Sequence, residues 1–240
     1  MSEELSGTFG YAHVTPDERE RRIRAVFQAV AGRYDLMNDI MSMGIHRLWK
    51  RAMARMAAPK AGQVVVDLAG GTGDIARLLA GPGRKVVVCD PSPAMMAVGR
   101  ERCPSGVDFV EGTAEAMPFP DASVDLVTIA FGLRNVTSLP AALTEVSRVL
   151  RPGGRFLCLE FSRPLALIRP FYDAWSFWVI PRLGAAVAQE PAAYEYLVES
   201  IRRFPDQRTL ATVFADSGLI DVGWRNLSFG IACLHHGTKP

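Results

Sequence analysis

The run Val64-Val65-Val66-Asp67-Leu68-Ala69-Gly70-Gly71-Thr72-Gly73-Asp74 reads as an apolar strand that ends on a carboxylate, crosses a glycine cluster and enters a helix. Glycines at such a turn permit left-handed backbone and let a ligand touch the main chain. Asp90 closes the next apolar run, KVVVCD, seventeen positions after Gly73. A carboxylate placed there can accept hydrogen bonds from the two hydroxyls of a ribose. Because a charge at the end of an apolar strand is costly without a partner, Asp67, Gly71 and Asp90 read together as a nucleoside-binding set.

Two ligand classes compete for that set. Gly71-x-Gly73-x-x-Ala76 matches the relaxed dinucleotide fingerprint, which would make the chain a nicotinamide-dependent oxidoreductase. Asp67 argues for a different nucleoside, S-adenosylmethionine, since a carboxylate attracts its cationic end and repels a pyrophosphate. The acidic segment Glu111-Gly112-Thr113-Ala114-Glu115 follows the third strand, where an adenine would lie. Pro118-Phe119-Pro120-Asp121 before the fourth strand and Leu150-Arg151-Pro152-Gly153-Gly154 before the fifth complete an order similar to that of class I methyltransferases. Asp125 and the Gly153-Gly154 pair read as strand-opening and turn residues.

Short apolar runs must position these groups. QVVVDLAG, KVVVCD, VDFVEG, VDLVTIAFG and GRFLCLEFS alternate with helix-compatible stretches at Asp74–Leu79, Pro93–Arg100, a short piece before Pro118, and Leu139–Leu150. Continuous apolar strands alternating with helices predict a doubly wound α/β fold whose parallel sheet is buried on both faces. A helix over Asp206–Ser217 and two strands, IDVGWRNLS and GIACLHHG, predict a closing antiparallel hairpin. Residues 1–18 are polar and predict a loosely held arm. Thr15, Pro16, Asp17 and Glu18 supply helix-start chemistry, and a second helix is expected around His46–Met56.

The chain has 240 residues, room for one large or two small domains at roughly 150 residues each. With 27 basic and 25 acidic residues it lacks the clustered charge that nucleic acid binding requires. Cys89, Cys103, Cys158 and Cys233 contain no CxxC pair and read as buried thiols in a reducing compartment. No metal-ligand spacing occurs, and His235-His236 has no companion ligands. The start, MSEELSGTFG, shows no signal-peptide pattern and no apolar run is long enough to span a bilayer, so a cytoplasmic enzyme is expected.

Two further blocks sharpen the likeness. Tyr34-Asp35-Leu36-Met37-Asn38-Asp39-Ile40-Met41-Ser42-Met43-Gly44-Ile45-His46-Arg47-Leu48-Trp49-Lys50 and Phe131-Gly132-Leu133-Arg134-Asn135-Val136 resemble the ubiquinone/menaquinone biosynthesis C-methyltransferases, the UbiE family. The resemblance continues through Leu159-Glu160-Phe161-Ser162-Arg163-Pro164, Tyr172-Asp173, Ser200-Ile201-Arg202 and Pro205-Asp206-Gln207. It implies a Rossmann-like class I methyltransferase: a mostly parallel seven-stranded sheet with a C-terminal antiparallel hairpin and a helical cap. On this reading residues 1–58 are an N-terminal arm and substrate-side helices. Residues 59–240 are the methyltransferase domain, with a cap insertion at about 164–204.

The resemblance further implies methyl transfer from S-adenosylmethionine to a ring carbon of a polyprenyl quinol, either demethylmenaquinol or a methoxy-polyprenyl-benzoquinol. Cofactor contacts carry over to Thr72, Asp90, Thr113, Ala114 and Ala130, beside Asp67, Gly71 and Gly73. Thr113 and Ala130 depart from the asparagine and serine common in the family, which alters side-chain hydrogen bonds and spares backbone ones.

A neutral ring carbon is a poor nucleophile, whereas ionising a ring hydroxyl of pKa near ~10 places charge on the carbon beside it. The resemblance assigns Arg134 and Asn135 to that ring, with Arg134 stabilising a quinolate or orienting a water. Asp74 is an alternative base through that water, or else a first-turn carboxylate serving the helix dipole. Tyr34, Asn38, Ser42 and His46 recur every four residues; Tyr34 and Asn38 are taken as substrate-side groups, and His46 as packed on Trp49. Phe171, Tyr172, Trp175, Phe177 and Trp178, with Met37, Met41, Met43, Met53 and Met56, would suit either an isoprenoid groove or ordinary core. Arg47, Lys50, Arg51 and Arg55 would set a peripheral contact with the inner membrane surface, or form a solvated helix face. A homo-oligomer, a quinone-biosynthesis complex, and a catalytically silent subunit of such a complex remain open.

Overall fold

The structure, a computed structural model, describes residues 7–30, 32, 38–39, 42–175 and 191–240. A short amino-terminal hairpin, β1 (Thr8–Phe9) and β2 (Ala12–His13), precedes helices α1 (Pro16–Val30) and α2 (Ile45–Ala57). Alternation then begins: β3 (Val64–Leu68), α3 (Asp74–Leu79), β4 (Lys85–Asp90), α4 (Pro93–Arg102), β5 (Val107–Glu111), β6 (Val124–Ala130), α5 (Leu139–Val149) and β7 (Leu150–Phe161). Helices α6 (Arg169–Ala174), α7 (Pro191–Arg203) and α8 (Gln207–Asp216) lead to β8 (Ile220–Leu227) and β9 (Ala232–Thr238). The seven-stranded sheet has the order β5-β4-β3-β6-β7-β9-β8. Its first five strands are parallel, and β9 pairs antiparallel with both β7 and β8.

Both sheet faces are covered, as the unbroken apolar runs require. Val66, Leu68, Val127, Ile129 and Phe156 face Leu143, Val146 and Phe214 in one core. Val65, Val86, Val88, Leu126 and Leu157 pack with Ile75, Leu79, Trp49 and Met53 in the other. Helix α5 buries Leu139, Ala142, Leu143, Val146 and Val149, the spacing of one helical stripe. Caps mark its start and those of two other helices. Ser92, Ser138 and Asp206 accept backbone N–H bonds from Met95, Ala141 and Thr209.

Four features differ from the expectations. Residues 112–117 form a turn closed by the Thr113–Ala116 bridge, with no helix, because Glu115 and Glu145 take the N–H groups of Thr137, Ser138 and Met117 across it. The arm is docked from residue 7 onward: Phe9 stacks on Tyr196 at 4.2 Å, and Gly10 O accepts from Arg203. Helix α2, grouped by sequence with the substrate-side helices, buries Trp49, Met53 and Ala57 in the sheet core, and Arg155 caps the carbonyls of Met56 and Ala57. Met53 is thus core and not groove. Finally, β7 begins at Leu150, so Gly153 and Gly154 lie within it.

Candidate active site

The strand order reverses between β3 and β6, and ligands of open α/β sheets bind outside the carboxyl ends of strands at such a point. A cavity of about 470 Å³ lies there, lined by Asp67, Gly71, Thr72, Asp90, Thr113, Ala114 and Ala130. Asn135, Asp74 and Lys50 reach it as well. Gly73 does not line it; its φ of +77° turns the chain into α3, and a Cβ there would meet Cys103 Sγ at 2.5 Å. Gly70 is held as tightly, since a Cβ would lie 2.7 Å from Asp67 Oδ2.

Asp67 is fully buried, with Oδ2 accepting from Ala76 N–H at 3.0 Å and Oδ1 from the Thr128 hydroxyl at 3.0 Å. Burial pushes its pKa up to about 7 despite those bonds. At the end of β4, Asp90 accepts from Gly71 N–H and Ser92 N–H, both at 2.8 Å, and burial raises it to about 6. Each carboxylate oxygen of Asp90 keeps a further lone pair for a ligand.

The Asp67 shift makes stability depend on pH. The folded protein keeps this proton up to about pH 7, while the unfolded chain releases it near 3.8, so stability falls as pH rises between those values. We expect the ligand-free Asp67→Asn variant to show a flatter loss of urea midpoint from pH 5 to pH 8 than the parent. Equal slopes would refute a buried, proton-holding Asp67.

Helix α1 covers this cavity with Glu20, Ile23, Arg24 and Phe27, one face at helical spacing. Beneath it Lys50 is buried and donates to Asp74 Oδ2 at 2.6 Å, while Arg77 reaches Asp74 Oδ1 at 2.6 Å. Burial alone would raise the Asp74 carboxyl, but the Lys50 and Arg77 charges outweigh it and hold it below the ordinary range. A carboxylate so paired is a weak proton acceptor, which counts against Asp74 as the base. Lys50 is likewise committed to this pair and does not face lipid.

A second cavity, of about 290 Å³, opens beside the first and is mainly apolar. Asn38, Ser42 and His46 line it together with Met43, Trp49, Phe171, Tyr172 and Trp175. Ser42 Oγ donates to Asn38 O at 2.7 Å and accepts from His46 N–H, so the four-residue spacing is a real ladder. His46 bonds Asp39 through Nε2 at 2.9 Å, and burial depresses its pKa. Tyr34, with Met37, Met41, Phe177 and Trp178, lies outside the described residues.

Arg134 lies in the wall of the second cavity, on a 3-10 turn spanning Leu133–Asn135. Its Nη1 donates to Glu160 Oε1 at 2.9 Å and to Phe131 O at 2.5 Å, and its guanidinium lies 5.7 Å from the Phe161 ring centre. Glu160 is 1% exposed and also accepts the Arg134 and Phe161 N–H groups. Asn135, facing the first cavity, accepts from the Tyr196 hydroxyl at 2.9 Å. Arg19 of α1, itself buried, donates to the carbonyls of Arg134, Asn135 and Val136 at 2.7–3.0 Å and to Thr8 O.

Sequence reasoning missed Glu160, Tyr196, Arg19 and the pairing of Lys50. Glu160 did carry a signal, a lone carboxylate inside the apolar run LCLEF. Among the described residues no group of three or more His, Cys, Asp or Glu side chains is placed to hold a metal, and no helix is long and apolar enough to cross a membrane.

The ubiE/COQ5 methyltransferase family matches residues 15–239. The Ubiquinone/menaquinone biosynthesis C-methyltransferase UbiE of Rubrivivax gelatinosus is 62% identical over 98% of this chain and 94% of its own. The protein of the same name from Hahella chejuensis is 48% identical over the full length of both. Among solved structures, an S-adenosylmethionine-dependent methyltransferase from Thermotoga maritima superposes with a TM-score of 0.65 at 20% identity, covering 91% of this chain and all of that one. The Haemonchus contortus phosphoethanolamine N-methyltransferase 2 bound to S-adenosyl-L-methionine gives 0.60 at 17% identity, over 80% of this chain and 52% of its own. Strand order, acid-rimmed glycine loop and full-length identity agree: this chain is a methyltransferase and belongs to the ubiE/COQ5 methyltransferase family.

Proposed function

We propose that this enzyme C-methylates the ring of a polyprenyl quinol in quinone biosynthesis, with S-adenosylmethionine as the methyl donor. The observation that carries the reading is the pair of adjoining cavities, one rimmed by Asp67 and Asp90, the other aromatic and aliphatic. The residues fit the donor. Asp90 offers lone pairs to ribose hydroxyls, and a cation beside Asp67 would draw its carboxyl to the ionised form. A pyrophosphate would instead hold Asp67 neutral and gain no charge attraction from it, which disfavours the nicotinamide alternative.

When bound, the donor would supply an electrophilic methyl, its C–S bond breaking as the ring C–C bond forms; the hydroxyl proton leaves to water beforehand, and the hydrogen of the methylated carbon follows as the ring regains aromaticity. The chain's own part is to ready the ring. Arg134, paired with Glu160 in the wall of the second cavity, would set its guanidinium toward a quinolate oxygen, while Asn135, fixed by Tyr196, would extend its amide from the donor-side wall toward the ring. Aromatic walls exclude water from the reacting carbon. The tail would leave through the rim of the second cavity, where Met43 and Phe171 are exposed, and we place that rim against the membrane surface.

The test is methyl transfer from labelled S-adenosylmethionine to short-chain benzoquinol and naphthoquinol analogues, in solution and in anionic vesicles. We expect C-methylated product, faster turnover in vesicles for long-tailed substrate, and about 100-fold lower kcat in Arg134→Ala with unchanged S-adenosylhomocysteine affinity. Tight NADH binding without either sulfur nucleoside, or no methylation of either ring, would sink the reading.

A further inference from the structure

Among the described residues Phe131 is the one that lines both cavities. It directly follows β6 and adopts a φ of +58°, a left-handed conformation that a bulky residue rarely holds without compensation. The compensation is visible. Its N–H stays in the ladder, donating to Leu159 O at 2.8 Å, while its carbonyl accepts from Arg134 Nη1 at 2.5 Å and Asn135 Nδ2 at 3.5 Å. The ring is buried, 4.8 Å from Phe161 and 6.2 Å from Trp49 between centroids.

We infer that Phe131 is the partition between donor and acceptor compartments, and a specificity-determining residue that sets how the ring carbon approaches the methyl group. This rests on the proposed function. Among the described residues Phe131 is the wall shared by the cavity rimmed by Asp90 and the one walled by Arg134. The same residue ties the two walls together, since both candidate polar groups of the ring site bond its carbonyl. Its size therefore fixes the depth to which a quinol ring can enter, and its apolar ring keeps water from the space between.

Phe131→Ala and Phe131→Leu test the assignment. We expect Phe131→Ala to lose about 100-fold in kcat, as a misplacement of order 1 Å would, with the KM for S-adenosylmethionine within about three-fold of the parent. The ratio of benzoquinol to naphthoquinol turnover should shift toward the larger ring, and Phe131→Leu should restore most of kcat. A binding arm reads the same wall without turnover. In the parent, S-adenosylhomocysteine and a naphthoquinol analogue bind together by calorimetry; in Phe131→Ala the analogue enters the merged space and competes. Unchanged ring preference with full kcat, equal loss of donor affinity and kcat, or continued independent binding in Phe131→Ala would each overturn the partition. Failure of the parent to methylate either ring would instead overturn the proposed function, leaving the binding arm to judge the wall.

Discussion

Replacing Glu160 with Leu lowers the stability of the protein by about 3–5 kcal/mol, because the variant leaves the buried Arg134 charge without its carboxylate. The two side chains are 5% and 1% exposed, and Glu160 also accepts two backbone N–H groups, so no solvent stands ready to take its place. The pair need not be a net source of stability, since desolvating two charges offsets most of their attraction. It follows that a second substitution, Arg134→Met with Glu160→Leu, recovers much of the lost stability while kcat stays about 100-fold below the parent. Urea unfolding of the parent, the single and the double variant checks this. A single variant as stable as the parent would mean that Arg134 finds water or another acceptor.

Exchange of Asp90 for Ala weakens S-adenosylhomocysteine binding by at least about 100-fold. Hydrogen bonds to a charged acceptor contribute roughly 1.5–3 kcal/mol each, and a ribose would lose two. The glycine loop would suffer too, as Asp90 holds the N–H of Gly71 at 2.8 Å and of Ser92 at 2.8 Å. Asp90→Asn, which keeps one acceptor oxygen, should fall between. In the parent, affinity should drop as pH falls through about 7 and again through about 6, where Asp67 and then Asp90 take up their protons, and the Asn variant should lose the lower step. Calorimetry across pH 5 to 8 measures both effects; a pH-independent parent would remove Asp90 from the ribose site.

Local chemistry explains why so much of this architecture was readable. Runs such as KVVVCD and QVVVDLAG declare strands by composition, and serine or aspartate caps declare where helices begin, so the sheet and the acid-rimmed loop follow from neighbours in sequence. Contacts between distant segments left no such trace. Arg134 and Glu160 are 26 positions apart and Arg19 lies 115 before Arg134, so no periodicity links them. Arg19 also sits in the run DERERRIR, where the buried arginine looks like its solvated neighbours. The segment before Pro118 misled for the opposite reason, because its own Glu115 reaches out to the N–H groups of Thr137 and Ser138 while Glu145 takes that of Met117.

Arg19 couples two parts of the site that lie far apart in sequence. Its guanidinium is the rivet through which the helix roofing the donor chamber grips the carbonyls of the turn that bears Arg134 and Asn135. Roof and turn therefore cannot be adjusted separately. Any displacement of α1 would pull on the three carbonyls that this one guanidinium holds.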